Sequence, residues 1–300
     1  MRFFIFFLIF STVLLCGCSG GSSESNAVLI EGEPVIINND GGAFSLSQFF
    51  ANRSIQDLEK GYFSGDLEEG YLFAVSVFRG YEREKNKPEG VKLLTEMWRK
   101  GVVDAGYHLY EIYSLGLGVD INGDVSLYYL QESAKNGYIK SQRELGFEYA
   151  GRGRYGLLGR EYDLSIFWFL KAAEQGDKIA AVNLAGIYHA GKGVERDDRT
   201  AFEWISKVEE LPYGNPMDGF SGLAKVYEEG IGTDIDLVQA YKYYDLLSPG
   251  SAPDRARLEE QMTPEQIREA IRLSRQWQEE HNIFVSSYYG LEYQEDGTFQ

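Results

Sequence analysis

Apolar and polar residues follow a helical spacing over most of the chain, and one arrangement returns at regular intervals. Three positions recur: an apolar residue at i, a residue that is usually small at i+1, and a tyrosine at i+4. Leu184, Ala185 and Tyr188 are an example, and this spacing places them on one helical stripe. These stripes carry Tyr113, Tyr149, Tyr188 and Tyr227. A second large ring follows each tyrosine, after 16 residues in three cases and 19 in one, with a small residue three positions earlier; the pairs are Ser126 and Tyr129, Ser165 and Trp168, Ala201 and Trp204, Ala240 and Tyr243.

The repeating unit is 36 residues long, because the next tyrosine stripe comes 20 residues after Tyr129 and after Trp168, and Leu93 of a weaker earlier copy likewise stands 20 residues before Tyr113. The distance after Trp204 is 23 residues. A fixed period of about 20 to 50 residues is typical of a solenoid, in which each unit buries its apolar face against its neighbours. A small residue one turn from a large ring allows two helices to approach closely. The sequence therefore predicts an all-α fold, an α-solenoid of antiparallel helix pairs.

The glycine-rich stretch GIYHAGKGVERDD, residues 186–198, stands between the two helices of one unit. A phosphate-binding loop would need a strand before it and further glycines or a Lys-Ser/Thr pair after it, and neither is present. Gly191 is suited to the left-handed conformation that ends a helix, and the acids that follow can cap the next helix. We therefore interpret this stretch, including His189, as a turn.

The repeated pattern resembles that of Sel1-like repeat proteins, which are related to tetratricopeptide repeats and whose unit reads LGxxYxxGxGVxxDxxxAxxWxxKAAEQG. Residues 169–197, FLKAAEQGDKIAAVNLAGIYHAGKGVERD, match it nearly letter for letter across one repeat junction. The resemblance implies five units over residues 70–250, of which the first and last are degenerate. The cysteine-rich Sel1-like proteins once credited with enzymatic activity differ from this chain, which has no cysteine in its repeats.

The flanking segments predict caps for this stack. Residues 43–69 predict an N-terminal capping helix, and residues 251–282 predict a C-terminal one. The latter contains Thr263, Pro264 and Gln266 in a capping-box arrangement. The aromatic and acidic tail, residues 283–300, is compatible with either a packed or a free arrangement. Two prolines and two glycines in residues 210–220 predict a bend before the last unit.

The first residues read as an export signal, with one positive charge, an apolar run and small residues before a cysteine. Residues 15–18, Leu-Cys-Gly-Cys, resemble the lipobox of bacterial lipoproteins, which implies a signal peptide over 1–17 and a lipidated Cys18. Ser19 resembles the signal for outer-membrane sorting, facing the periplasm. A transmembrane anchor is the alternative, although the run is short for the ~20 apolar residues that a span needs. Residues 18–42 predict a lipidated tether that lifts the solenoid off the membrane.

Composition narrows the possible functions. The formal net charge is −17, which disfavours binding to nucleic acid or anionic lipid, so we expect membrane contact through the lipid anchor only. Both cysteines, Cys16 and Cys18, precede the repeats, and the three histidines fall in different units. The sequence therefore predicts neither a metal site nor a cofactor. We expect that this protein is not an enzyme. A cell-envelope hydrolase is the alternative, and it would require a carboxylate pair deep in the groove.

One repeat carries three extra residues in its hairpin loop, AGRGRYGLLGREYD. Its candidate partner-binding residues are Arg152, Arg154, Tyr155 and Arg160, which form a basic island in an acidic protein. Guanidinium groups bind carboxylates and phosphates well, so the loop suits an acidic partner or lipid phosphates. The alternative is that these arginines only neutralise neighbouring acids.

These observations favour a non-enzymatic scaffold, anchored by lipid in the bacterial envelope, which holds a protein partner through the solenoid groove and this loop. The resemblance leaves an immunity protein against a secreted antibacterial effector, such as a phospholipase, as one alternative. A hydrolase and a structural role in assembling envelope complexes are the others.

Overall fold

The computed structural model describes residues 27–38, 50, 53–81 and 84–289 of the 300-residue chain. This part is helical and confirms the predicted all-α solenoid, since consecutive helices pack as pairs along the chain. Short 3-10 helices lie at Ser206–Glu209 and Ser286–Tyr289. The α-helices are α1 (Ile55–Ser64), α2 (Leu67–Arg79), α3 (Lys87–Arg99), α4 (Val103–Leu115), α5 (Gly123–Lys135), α6 (Ile139–Tyr149), α7 (Tyr162–Glu174), α8 (Lys178–Ala190), α9 (Asp198–Ile205), α10 (Phe220–Glu229), α11 (Leu237–Leu246), α12 (Ala252–Glu259) and α13 (Pro264–His281).

The small residues of the repeat bring paired helices together. Ser126 Oγ on α5 donates to the Tyr110 carbonyl of α4 at 2.9 Å, and Ser165 Oγ on α7 donates to the Gly146 carbonyl of α6 at 2.8 Å. A methyl group at Gly146 would lie 2.6 Å from the Phe169 ring, so only glycine allows this approach. The recurring small position thus removes bulk in each repeat, and where it is Ser126 or Ser165 it also donates a hydrogen bond to a backbone carbonyl of the paired helix.

The recurring rings fill the space between the helices of a pair. Tyr129 is buried and stacks on Tyr113 with the ring centroids 5.9 Å apart. Tyr243 is also buried and stacks on Tyr227 at 6.1 Å. The buried apolar side chains form two clusters, one extending from α1 to α6 and the other from α6 to α13. Each helix pair is therefore stabilised by its neighbours, as a solenoid requires.

The structure places the turn predicted over residues 186–198 at residues 191–197, because residues 186–190, including His189, belong to the end of α8 and Asp198 begins α9. Gly191 has φ +63° and ends α8 in the left-handed conformation. Asp197 then caps α9 by accepting the Thr200 amide at 3.0 Å. His189 Nδ1 lies 2.7 Å from a carboxylate oxygen of Asp198, which ties the end of α8 to the start of α9.

Residues 27–38 lie along α3, α4 and α5 as an extended segment. Trp98 Nε1 donates to the Val28 carbonyl at 2.6 Å, and the buried Asp104 carboxylate accepts the amides of Ile37 and the next residue at 2.8 and 2.9 Å. The apolar side chains of this segment pack against the first cluster of the core. Burial of these side chains and the hydrogen bonds hold the segment in place.

This packing corrects the expectation of a free tether over residues 18–42, because residues 27–38 are fixed to the helices. The remainder of that stretch, the signal peptide over 1–17 and Cys18 lie outside the described residues, so those predictions stand as such. Among the helices that the structure describes, none is both long and apolar enough to cross a membrane.

The N-terminal cap predicted over 43–69 differs in its boundaries from the observed helices. Ser54 caps α1, and Gly65 ends it in the left-handed conformation at φ +89°. Asp66 then caps α2, which begins before the predicted first unit. Residues 41–49, 51 and 52 lie outside the described part.

The C-terminal cap predicted over 251–282 is two helices, α12 and α13, rather than one. The predicted capping box is present, since Thr263 Oγ1 accepts the Gln266 amide and the Gln266 side chain accepts the Thr263 amide. Trp277 on α13 packs edge-to-face against Phe220, with the centroids 5.1 Å apart. The first residues of the tail are packed, because Val285 donates its amide to the Gln278 side chain at 2.8 Å.

Candidate partner-binding surface

The long hairpin loop connects α6 to α7 across residues 150–161. Its ends are joined by a hydrogen bond from the Glu161 amide to the Tyr149 carbonyl, 2.8 Å long. The equivalent loops, residues 116–122 and 191–197, are shorter. The loop is longer because the repeat contains extra residues and because α6 ends at Tyr149, whereas α4 and α8 continue for two residues beyond the equivalent tyrosine.

The buried side chain of Glu148, on α6, holds this loop in place. Its carboxylate accepts the amides of Leu157 at 2.7 Å, Leu158 at 3.3 Å and Tyr155 at 3.4 Å. Glu148 is only 1% exposed, so these hydrogen bonds satisfy a carboxylate that is removed from water. The loop is therefore folded around a fixed negative charge.

A second glutamate on the same helix holds the loop against α4. Glu144 is buried and accepts both the Arg154 amide and the Tyr110 hydroxyl at 3.2 Å. The Tyr155 ring packs edge-to-face on Tyr110 with the centroids 5.3 Å apart. Two carboxylates one helical turn apart on α6 thus order the loop.

The four predicted binding residues do not form one cluster. Arg152 donates to the Asn183 side chain on α8 at 2.7 Å, and Arg154 pairs with Glu111 on α4 at 3.0 Å. The loop therefore reaches both neighbouring units.

Tyr155 and Arg160 differ in their exposure. The Tyr155 ring is half-buried, as its contact with α4 requires. The Arg160 guanidinium lies over Gly151, is exposed and forms no ion pair with the described residues. All three arginines of the loop are thus exposed, and Arg154, whose side chain is 60% exposed, pairs with a carboxylate of α4.

The carboxylates of this surface are already engaged. Burial raises the pKa of Glu111, while the nearby Arg154 guanidinium opposes that rise. Glu144 accepts hydrogen bonds from α4 and from the loop, as described above. Arg154 thus neutralises a neighbouring acid, in agreement with the alternative interpretation of the sequence. Arg152 and Arg160 form no ion pair with the described residues.

Glu144 and Glu148 are the functional residues that sequence reasoning missed. A signal was available, since the position of Glu148 is taken by Ile112, Ile187 and Val226 in the other repeats when the tyrosine stripes are aligned. Those three side chains are buried. A charged residue at a position that is otherwise apolar indicates a specific buried partner.

The helix pairs and the ordered loop define an α-solenoid repeat scaffold, and comparison with known proteins identifies the repeat. The family model of the Sel1 repeat matches residues 105–138, 139–177, 178–207 and 221–247. Residues 105–247 of the chain therefore carry Sel1-like repeats. Repeats of this kind form generally non-catalytic scaffolds, typically for protein–protein interaction.

Two crystal structures show the same fold. A protective antigen of uropathogenic Escherichia coli with an SLR fold aligns with a TM-score of 0.62 at 24% identity, over 75% of this chain and 48% of its own. A Sel1 repeat protein from Oxalobacter formigenes aligns with a TM-score of 0.52 at 22% identity, over 77% of this chain and 70% of its own. At these identities the similarity concerns the fold alone.

A curated relative is an uncharacterised protein of Neisseria meningitidis serogroup B, 33% identical over 145 residues. The match covers 48% of this chain and 29% of that protein. The chain thus spans less than a third of this relative's length, and the similarity is one of repeats.

Proposed function

We propose that this protein is a non-enzymatic scaffold that binds an acidic protein partner through the long loop and the adjacent helix faces. The observation that carries this proposal is the loop itself, which is ordered by the buried Glu148 carboxylate and leaves Arg152 and Arg160 exposed. A loop that is already ordered loses little conformational entropy on binding, so more of the contact energy appears as affinity.

The side chains of the loop suit recognition of carboxylates. Arginine forms paired hydrogen bonds with carboxylates and is enriched among residues that dominate binding energy. Arg152 is held over the Phe147 ring, with the guanidinium carbon 5.7 Å from its centroid, so its direction is partly fixed.

The experiment is a crosslinking pull-down from the native envelope, with captured proteins quantified by mass spectrometry. We compare the wild type with the double variant Arg152→Glu/Arg160→Glu. The matched control is Lys60→Glu/Arg272→Glu, which makes the same change of charge at exposed positions on α1 and α13. We expect one stoichiometric partner that is lost at high salt, at least tenfold less captured by the loop variant and fully retained by the control.

Equal capture by the loop variant and the control would contradict a role for the loop. Both variants should melt within about 2 °C of the wild type, because surface substitutions rarely change stability by more than about 0.5 kcal/mol. Capture of lipid or cell-wall fragments alone would contradict the scaffold function.

We further propose that lipid on Cys18 anchors the scaffold in the bacterial envelope, at the outer membrane facing the periplasm. The lipobox-like residues 15–18 and the apolar run before them support this proposal. Metabolic labelling with a palmitate analogue should label the wild type and Cys16→Ser but not Cys18→Ser. Labelling that persists in Cys18→Ser would contradict the assignment.

A further inference from the structure

Three turns connect successive helix pairs through a glycine with positive φ. These are Gly101 before α4, Gly137 before α6 and Gly176 before α8, with φ of +106°, +93° and +106°. They lie on the edge of the stack opposite to the hairpin loops, because each helix reverses the direction of the chain.

The first of these turns binds an extended segment of the chain. The Val35 amide donates to the Gly101 carbonyl at 2.8 Å, and the Val103 amide donates to the Val35 carbonyl at 2.9 Å. Val35 and Val102 thereby form a parallel β-bridge. The first amide of α4, which has no partner within its own helix, is satisfied by this segment.

The third turn binds another extended segment in the same way. The Tyr213 amide donates to the Gly176 carbonyl at 3.1 Å, and the Lys178 amide donates to the Tyr213 carbonyl at 2.9 Å. Asp177 and Tyr213 form the parallel bridge. The two segments come from distant parts of the sequence, so the turn geometry itself selects this mode of binding.

The two bound segments share a sequence feature. Pro34 precedes Val35 and Pro212 precedes Tyr213, in a chain with only seven prolines. Proline fixes its own φ and favours an extended conformation in the residue before it, which prepares the segment for the bridge. Proline followed by a β-branched or aromatic residue is therefore the common element.

The second turn has the same backbone, but no segment among the described residues forms a bridge with it. The Gly137 carbonyl and the Ile139 amide form no backbone hydrogen bond outside their own helices within the described residues. A methyl group at Gly137 would lie 3.8 Å from its nearest neighbour, a methyl carbon of Ile36. The equivalent distances are 2.1 Å at Gly101 and 2.7 Å at Gly176, where the bound segments lie. Among the described residues, none therefore lies as close to the second turn as the bound segments lie to the other two.

We propose that the turn at Gly137 binds an extended segment of the protein partner that carries proline followed by a β-branched or aromatic residue. The segment adds to the turn through the two backbone hydrogen bonds seen at the other two turns, as in recognition by strand addition. This inference rests on the proposed scaffold function and names a part of the partner. It concerns the edge opposite to the long loop, so each contact can be tested without the other.

The probe is a synthetic peptide with the sequence of residues 30–38, IEGEPVIIN, added to the isotope-labelled full-length protein. We expect saturable shifts of the Gly137 and Ile139 amide signals in NMR spectra. A control peptide with Pro34→Ala and Val35→Ala should bind at least tenfold more weakly. Shifts at the Val103 amide instead would mean that the peptide replaces the resident segment, and would overturn the proposal.

A pair of variants tests the hydrogen bond itself. Ile139 is the first residue of α6, a position that accepts proline, and the preceding Tyr138 is extended at φ −69° and ψ 116°. Ile139→Pro removes the amide donor, whereas Ile139→Ala keeps it and shortens the same buried side chain. We expect the peptide to bind Ile139→Pro at least tenfold more weakly than Ile139→Ala.

Equal affinity of the two variants would overturn the proposal. If Ile139→Pro does not fold, the location of the NMR shifts in the wild type decides alone. A dimer formed by exchange of residues 27–38 between two copies would also overturn it, because the occupant would then be a second copy of this chain. Failure of the peptide to bind would overturn this inference, and it would leave the result of the arginine reversal intact.

Discussion

Replacing Glu148 by alanine tests whether a buried carboxylate orders the long loop. The change removes an acceptor that is 1% exposed and serves three amides, at 2.7, 3.3 and 3.4 Å. A hydrogen bond to a charged group contributes about 1.5–3 kcal/mol, and only the shortest of the three has the geometry for the full value. The two longer ones share the same charge. We therefore expect opening of the loop to become easier by about 2–3 kcal/mol.

Hydrogen exchange at the Leu157 and Leu158 amides measures this free energy locally. A local measurement is preferable because repeat arrays do not always unfold in a single step. A change of about 2–3 kcal/mol corresponds to exchange that is about 30- to 140-fold faster, since 1.4 kcal/mol is a factor of about ten. The exchange rate can increase only until it equals that of fully exposed amides.

Glu161→Ala is the matched control, because Glu161 belongs to the same loop, is exposed and forms no capping hydrogen bond with its side chain. Exchange at Leu157 and Leu158 should be unchanged in this variant. The reasoning is refuted if Glu148→Ala folds and both amides keep the protection of the wild type. That result would mean that packing of the leucine side chains, rather than the carboxylate, orders the loop.

Three further predictions concern the stack itself. Burial lowers the pKa of His108 to about 3, whereas the unfolded chain binds this proton near pH 6.5, so the free energy of unfolding should fall from about pH 7 to pH 4 relative to His108→Gln. Urea unfolding across this range measures the difference, and parallel pH profiles would contradict it. Gly146→Ala should destabilise the protein by about 1–3 kcal/mol through contact with the Phe169 ring, while Gly186→Ala, with open space around it, should stabilise by about 0.5–1 kcal/mol. Chemical denaturation distinguishes the two signs, and equal effects would show that helix propensity dominates both. Thr263→Ala removes a side of the capping box and should cost about 1 kcal/mol, which faster hydrogen exchange in the first turn of α13 would reveal.

The repeat architecture could be predicted from the sequence because its information is local and periodic. Each tyrosine stripe and each small residue before a ring recurs at one spacing, and helix pairs contact mainly their sequence neighbours. The capping box at Thr263 is likewise encoded within four residues. Such features need no knowledge of distant segments.

The features that sequence reasoning missed depend on contacts between distant residues. The segment 27–38 resembles a linker in composition, yet Val28 reaches Trp98 and Ile37 reaches Asp104. The basic loop was located from its charge, but the division of its arginines among neighbouring helices is set by residues such as Glu111. Comparison of one repeat with the next could have identified Glu148, since only that unit has a charge at an aliphatic position.

The fixing of residues 27–38 to α3 and α4 also determines how far the stack can stand from a membrane. If Cys18 carries lipid as proposed, only residues 19–26 separate it from the fixed segment, and these span at most about 29 Å even when fully extended. The first helix pair would then stay within a narrow zone above the bilayer. A pulling force on the anchor would first load the hydrogen bonds that join Val28 to Trp98 and Tyr129, and then the backbone bonds at Arg99 and Gly101. The attachment of the N-terminal segment would thus carry tension from the membrane into α3, α4 and α5.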